Sequence, residues 1–454
     1  MLKRRFCFIL LFFVCASVQG QLLPDTNISS PHTTYQIIQT HDYTFSELQD
    51  KGITTLACQL DVLQIPIRQL RFAIKAHINR HHFALNKEKR KKTTFRAISF
   101  TYPSLSPQGE PVILSGLVTI PILADNRPSR MLIYNRLTCI SNHIAPSNSL
   151  PLEAIITADN TICVFPDYYG CGTTEGNPLP FIALNYHARC ATECVLTALD
   201  IIHDNGIALD TGFYTWNTGY SQGGGYALAT HKYIETFLPD SIQQRINLRW
   251  SLCGGGIYAP AKLYELIILS ENMGSTPSVI LQGLRSLLNS HPEMMENIDL
   301  SDIFSDNAKE LGIDSIFSSY DDGVWNFVKQ LDGRDKSHNP ADYFSSSVLD
   351  TSSMVYKKII AAFSLDDCVS GWHPKSLVVL SHSKNDQNIP ALLTLQAHRQ
   401  LSLDNNNCIL HHPPINKSHL YTGFLYFCKI LRLNENELYH LYYLKNKNRP
   451  TLYK

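Results

Sequence analysis

The sequence has no surplus of charge of either sign. Its 39 basic and 39 acidic side chains give a formal net charge of zero, and charged residues make up 17% of the 454. A nucleic-acid surface or a strongly acidic partner calls for a basic stripe, so neither is expected. Beyond the first twenty residues no stretch is apolar and long enough to span a bilayer, so no stable membrane span is expected once that segment is removed. No internal repeat is present, which sets aside solenoids and propellers. Cysteine and histidine do not combine at zinc spacing. Cys190 and Cys194, four apart on a predicted helix, have no neighbouring ligands and read as core packing. What remains, at 44% hydrophobic, is a globular chain long enough for one large domain or two ordinary ones.

The first twenty residues read as a processing signal. Lys3, Arg4 and Arg5 form a basic start, residues 6–14 a short apolar core, and residues 16–20 a small-residue segment with a cleavage site between Gly20 and Gln21. An uncleaved anchor is the alternative; lipid attachment at Cys15 is disfavoured by the bulky Val14. The expectation is a soluble exported chain, secreted or periplasmic. Outside the signal lie Cys58, Cys139, Cys163, Cys171, Cys190, Cys194, Cys253, Cys368, Cys408 and Cys428, an even set that permits disulfides in an oxidising compartment. Cys163, Cys253 and Cys428 sit in apolar patterns and read equally as buried thiols. Asn27-Ile28-Ser29 and Asn416-Lys417-Ser418 match the glycosylation acceptor pattern.

The most informative stretch is Phe213-Tyr214-Thr215-Trp216-Asn217-Thr218-Gly219-Tyr220-Ser221-Gln222-Gly223-Gly224. A β-prone run enters Gly-x-Ser-x-Gly, and a helical pattern through Tyr226, Tyr233 and Phe237 leaves it. Strand, sharp turn and helix are the setting of a nucleophile elbow, in which small residues let strand and helix approach and push the serine into the open. A Gly-rich strand-to-helix turn could instead cradle a phosphate.

Around this motif the pattern alternates. Residues 21–94 are an N-terminal extension, turn-rich over 24–34 and partly helical over about 42–90, closing on the charge run 87–92, which reads as a solvated face or loop. Residues 95–102 and 112–120 predict a hairpin at one edge of a sheet. Strand runs follow at 131–134, 162–165, 213–218, 248–252, 377–380 and 409–411, with a helix over 188–203. Such alternation predicts an α/β fold with a doubly wound, mostly parallel sheet. Between 256 and 371 strand signal is sparse, and helices are predicted at 262–269, 279–288, 321–331 and 353–363. The expected organisation is a core over 95–256 and 371–454, interrupted by a helical cap at 257–370. A separate helical domain is the alternative; loops at the carboxyl ends of parallel strands form the active-site face, which favours the cap.

A serine hydroxyl needs a general base, and the base needs a group that fixes its tautomer. Asp386 stands in the loop after strand 377–380, and His419 follows the strand near 408–412 and precedes a helix over 420–431, giving the order Ser221, Asp386, His419. His411 and His412 compete for the base, but strand positions aim their rings into the packing. His382 reads as structural. The oxyanion would be held by the backbone N–H groups of Gln222 and, from the loop after 131–134, Thr138.

With these residues in place the chain resembles the α/β-hydrolase superfamily, and within it the secreted lipases and esterases with a helical cap. The resemblance rests on Ile98-Ser99-Phe100-Thr101-Tyr102 with residues 109–121, on Phe165-Pro166-Asp167-Tyr168-Tyr169-Gly170-Cys171-Gly172, on Gly219-Tyr220-Ser221-Gln222-Gly223-Gly224, and on the segment from Trp372-His373-Pro374-Lys375 through Asp386 to Pro390. It covers about 95–432. It implies a doubly wound core, hydrolysis of a small-molecule carboxylic ester with acyl lipids among the candidates, no cofactor, and Ser221, Asp386 and His419 as the triad. One departure stands out: Arg136-Leu137-Thr138 replaces the usual His-Gly-Thr, removing a glycine from the oxyanion loop. Arg136 would then contact an acidic group or the substrate. The altered loop also motivates a non-catalytic reading, a ligand-binding protein on the same fold, and the triad alone would equally serve an acyltransferase or a peptidase.

Overall fold

The computed structural model describes residues 34–59, 67–79, 85–124, 127–138, 144–273, 277–312, 338–404, 406–413 and 417–430. The expected signal, Cys139, the helix at 321–331 and the asparagines of both glycosylation patterns lie outside the described residues. Residues 1–32 group apart from residues 33–454, and only the second unit is described below.

Among the described residues nine strands join one sheet: β1 (Gln36–Tyr43), β2 (Thr94–Leu105), β3 (Pro111–Ile122), β4 (Arg130–Asn135), β5 (Thr161–Pro166), β6 (Tyr214–Tyr220), β7 (Leu248–Gly254), β8 (Leu377–Ser381) and β9 (Cys408–His411). Their order is β1-β2-β3-β5-β4-β6-β7-β8-β9. The six strands from β5 to β9 run parallel, and β1, β2 and β3 add antiparallel pairs. The sheet is doubly wound and mostly parallel, as the alternating pattern implies. β5 is buried along its whole length, which is why Thr-Ile-Cys-Val-Phe-Pro reads as a near-continuous apolar run. The β2–β3 hairpin does not form the edge. β1 pairs outside it, and its polar sequence, exposed over nearly its whole length, hides the two-residue period that marks a half-buried strand. The basic run is a mostly solvated face rather than a loop: Lys87–Lys92 is a short helix whose start is capped by Asn86, with Arg90 laid over the Phe45 ring (5.0 Å).

The main helices are α1 (Phe45–Gln59), α4 (Leu184–Asp204), α5 (Gln222–Phe237), α7 (Pro260–Ser270), α8 (Pro277–Ser290), α9 (Met354–Leu365), α10 (Ala391–Leu401) and α11 (His419–Ile430), and the described residues also form α2 (Ile67–Asn79), α3 (Lys87–Lys92) and α6 (Asp240–Ile246). α1 and α11 contribute to a core that includes Leu132, Phe165, Trp216 and Trp250, the two indoles stacked 4.5 Å apart. Leu48 and Ile53 of α1 are fully buried there, each burial worth about 1.5–3 kcal/mol, so this helix of the N-terminal extension is part of the core. Gly52 makes that approach possible, since a Cβ would lie 2.6 Å from the backbone of Leu152.

α4 and α5 pack beside each other, and a buried polar chain threads strands β4, β6 and β7 together with these two helices. His187 of α4 donates from Nε2 to Asn135 Oδ1 (3.0 Å), Asn135 to Asn217 Oδ1 (2.7 Å), and Asn217 to Ser251 Oγ (3.2 Å). Ser251 donates to His231 Nδ1 (2.7 Å), and His231 Nε2 to Glu235 Oε1 (3.0 Å). Every donor points the same way and every member finds its partner, so the chain fixes one register of the strands that carry the site. Between β7 and β8 the described residues form α7, α8, short helices at Leu300–Ile303, Asp306–Glu310 and Ser346–Leu349, and α9, packed through the rings of Tyr264, Tyr356 and Phe363.

Candidate active site

Ser221 stands between β6 and α5 with φ 59° and ψ −123°, a conformation that an L-residue adopts only under constraint. The constraint is local. Its N–H donates to Gly254 O (2.9 Å), and its carbonyl accepts from Gly224 and Gly225 (2.9 and 3.2 Å). Strand and helix meet so closely that a Cβ on Gly219 would lie 2.1 Å from Gly223 O, and one on Gly223 would lie 2.2 Å from Asn135 O.

The loop after β8 carries Asp386. Its Oδ1 accepts the backbone N–H groups of Asn388 and Ile389, both at 2.9 Å. Its Oδ2 faces His419 Nδ1 at 2.6 Å and His382 Nε2 at 3.2 Å. Burial alone would raise this carboxyl; the hydrogen bonds from His382 and His419 outweigh burial and hold it well below the usual carboxylate range. His419 is the first residue of α11, and its Nε2 lies 2.8 Å from Ser221 Oγ. Tyr220 braces it, donating from its hydroxyl to His419 O (2.7 Å) with its ring 5.1 Å from the imidazole. Because Asp386 is ionised, His419 Nδ1 donates to it, and Nε2 is left to accept the Ser221 proton. The three side chains singled out in the sequence are thus joined in one hydrogen-bonded line.

The competing histidines are committed elsewhere. His411 accepts or donates between Ser381 Oγ (3.0 Å) and Lys429 Nζ (2.7 Å), and His412, just past β9, meets His382 O (3.0 Å). His382 is fully buried, but it does more than fill space: it touches the Asp386 carboxylate. The only hint of this in the sequence is the four-residue spacing within one loop. Among the described residues no group of three or more His, Cys, Asp or Glu side chains is arranged to hold a metal ion.

No family model and no curated protein matches the chain. Solved structures do. A Legionella pneumophila protein provisionally classed as a hydrolase superposes with a TM-score of 0.67 at 14% identity, covering 92% of this chain and 99% of that one. The rice cell wall degrading esterase LipA from Xanthomonas oryzae gives 0.64 at 16% identity, covering 88% and 96%. Candida antarctica lipase A gives 0.52 at 16% identity, covering 72% and 73%. The chain has the α/β-hydrolase fold.

In an α/β-hydrolase the residue after the elbow nucleophile and the loop after an early strand face the reacting carbonyl. Here Gln222 opens α5, where backbone N–H groups have no partner within the helix, and its side chain donates to Tyr226 OH (2.6 Å). Thr138 lies half-buried three residues past β4; residues 139–143 lie outside the described residues. Arg136 is buried. It donates to Ile144 O, and its own carbonyl accepts the Tyr168 hydroxyl. Its charge also acts on Asp167, the acidic group of Pro-Asp-Tyr. Burial raises the Asp167 carboxyl, and hydrogen bonds from Ser115 and Ser147 with the Arg136 charge offset this only in part. The rings of Tyr168, His187 and Tyr226 pack together behind the loop, His187 stacked on Tyr226 at 3.7 Å and held neutral by burial, its pKa lowered to about 3.

Proposed function

We propose that the chain is an exported serine hydrolase that cleaves carboxylic esters, an esterase or lipase working through an acyl-enzyme. The observation that carries this reading is the line from Asp386 through His419 to the strained Ser221. His419 Nε2 would take the Ser221 proton as Oγ attacks the ester carbonyl, and the imidazolium would be held by Asp386. The oxyanion would sit against the Gln222 N–H and a donor of the Thr138 loop. His419 would then pass its proton to the leaving alcohol. Water, deprotonated in turn by His419, would release the acid and restore Ser221. The esterase and lipase among the similar structures support ester substrates, acyl lipids included. Residues 257–370 would cap the site, and residues 1–20 would direct export.

The test is hydrolysis of p-nitrophenyl esters over a range of acyl lengths, with fluorophosphonate labelling mapped to its residue. Ser221→Ala should lower turnover by at least about 10⁴-fold and abolish labelling. Equal activity in wild type and variant, or labelling at a residue other than Ser221, would refute the assignment. The displaced glycine of the Arg136-Leu137-Thr138 loop favours a second reading, a ligand-binding α/β-hydrolase fold without turnover. A folded wild type that neither labels nor hydrolyses would select it.

A further inference from the structure

We propose that His382 is a positioning residue of the relay: its Nε2–H shares the Asp386 carboxylate with His419 and so governs how firmly Asp386 holds the proton on His419. The inference rests on the triad reading above and adds a fourth side chain to it. His382 Nε2 lies 2.9 Å from Ile389 O and 3.2 Å from Asp386 Oδ2. Neither a carbonyl nor a carboxylate oxygen can donate, so Nε2 carries a proton in every protonation state of the ring. Its other nitrogen, Nδ1, lies 2.6 Å from Thr394 Oγ1 on α10 and accepts that hydroxyl when the ring is neutral. Both His382 and Thr394 are fully buried, so no bulk water competes for these bonds.

The geometry closes on itself. Ile389 donates its N–H to Asp386 Oδ1 and receives His382 on its carbonyl, which staples the loop from 382 to 389 around the carboxylate. Asp386 Oδ1 thereby takes two backbone N–H donors, while Oδ2 takes the His419 N–H and lies 3.2 Å from the His382 Nε2 that also faces Ile389 O. Each donor draws off part of its charge. Withdrawing the His382 bond concentrates that charge on the bond to His419 and stabilises its cationic form. Other titratable or charged groups near the pair are Tyr220 from β6, against the His419 ring, His412 from the turn after β9, against His382 O, and Lys417 two residues before His419, whose Nζ lies over the Tyr421 ring; α10 presents the neutral Thr394 to His382.

The experiment is a ¹⁵N-histidine NMR titration of the full chain as wild type, His382→Leu and His382→Gln. In wild type the His382 ring should show the proton on Nε2; a neutral ring protonated on Nδ1 would overturn the proposal without any variant. In His382→Leu the His419 titration midpoint should move up by about half to one pH unit, and in His382→Gln, whose amide can donate to the same oxygens, it should stay within a few tenths of wild type. A folded His382→Leu protein with an unmoved midpoint would also overturn it, as would equal shifts in both variants. The acid limb of kcat/KM for ester hydrolysis should follow the NMR midpoint. If no ester is hydrolysed, the catalytic assignment fails while the NMR result still decides the coupling.

Discussion

Ser221 holds a backbone conformation that costs of order 1–3 kcal/mol, and the glycines around it are what make that affordable in space. Gly223 sits against the end of β4, where a Cβ would lie 2.2 Å from Asn135 O and 2.5 Å from Arg136 O. Both contacts are backbone, so no side chain can swing aside. Gly223→Ala is therefore expected to destabilise the protein by about 2 kcal/mol or more and to push the elbow away from the Arg136 loop. Urea unfolding and the rate of fluorophosphonate labelling should fall together; a variant that labels at the wild-type rate would show that the elbow tolerates the shift. At this scale the sequence was readable where chemistry and spacing coincide. Gly-x-Ser-x-Gly between a strand and a helix, an acid after a strand and a histidine before a helix lead to Ser221, Asp386 and His419, which the structure brings within hydrogen-bond reach. The contact of His382 with Asp386 was not readable, because it depends on how one loop folds back onto its own carboxylate. Nor was the burial of Arg136, since nothing in Arg-Leu-Thr says that the guanidinium turns inward to Ile144 O.

Between elements, one buried link is Glu235 near the end of α5. It accepts from His231 on its own helix, from the Lys375 and Ser376 N–H groups (2.8 and 2.7 Å), and from the Trp372 indole (3.3 Å), tying α5 to the segment that feeds β8. Burial would raise its carboxyl; the hydrogen bond from His231 and the two backbone donors from Lys375 and Ser376 work against that, and it is lowered from 4.5 to about 2. A folded-state value below the unfolded one stabilises the fold fully above about pH 4.5, and the gain is lost as pH falls towards about 2. The displacement corresponds to roughly 3 kcal/mol. Glu235→Gln should lose about that much at neutral pH, with the deficit relative to wild type shrinking below pH 4.5. Urea midpoints of both proteins across that range decide it, and a deficit independent of pH would assign the loss to packing instead. The alternating strands and helices around this link were legible because parallel strands buried on both faces leave short apolar runs. β1 was not: its side chains are exposed over nearly the whole strand, so it carries no burial pattern and is held by its backbone pairing with β2.

Over the whole chain, seven of the eight cysteines whose side chains are described are buried. An even cysteine count permits disulfides, but here the side chains are spread through the core, with Cys163 in β5, Cys190 and Cys194 in α4, Cys253 in β7 and Cys408 in β9. Burial also pushes the thiols of Cys163, Cys190, Cys194, Cys253 and Cys368 up, Cys163 to about 12 and Cys190 to about 11, so almost no thiolate is present at these five near neutral pH. An oxidising compartment can therefore hold them reduced for as long as the core stays closed. Cys368 lies just after α9, on the return from the inserted helices, and its backbone N–H and thiol both donate to Tyr258 O (3.1 Å each) on the outgoing side. It reports on the root of the inserted segment, while Cys163 and Cys408 report on the two halves of the sheet. If the insertion and the sheet share one cooperative core, these three thiols should lose protection at the same urea concentration, with exposed Cys58 reacting well before any of them. Alkylation followed by peptide mapping reads each site separately. Modification of Cys368 at lower urea than Cys163 and Cys408 would instead mean that the inserted helices open on their own, as a segment that must move to admit an ester would do.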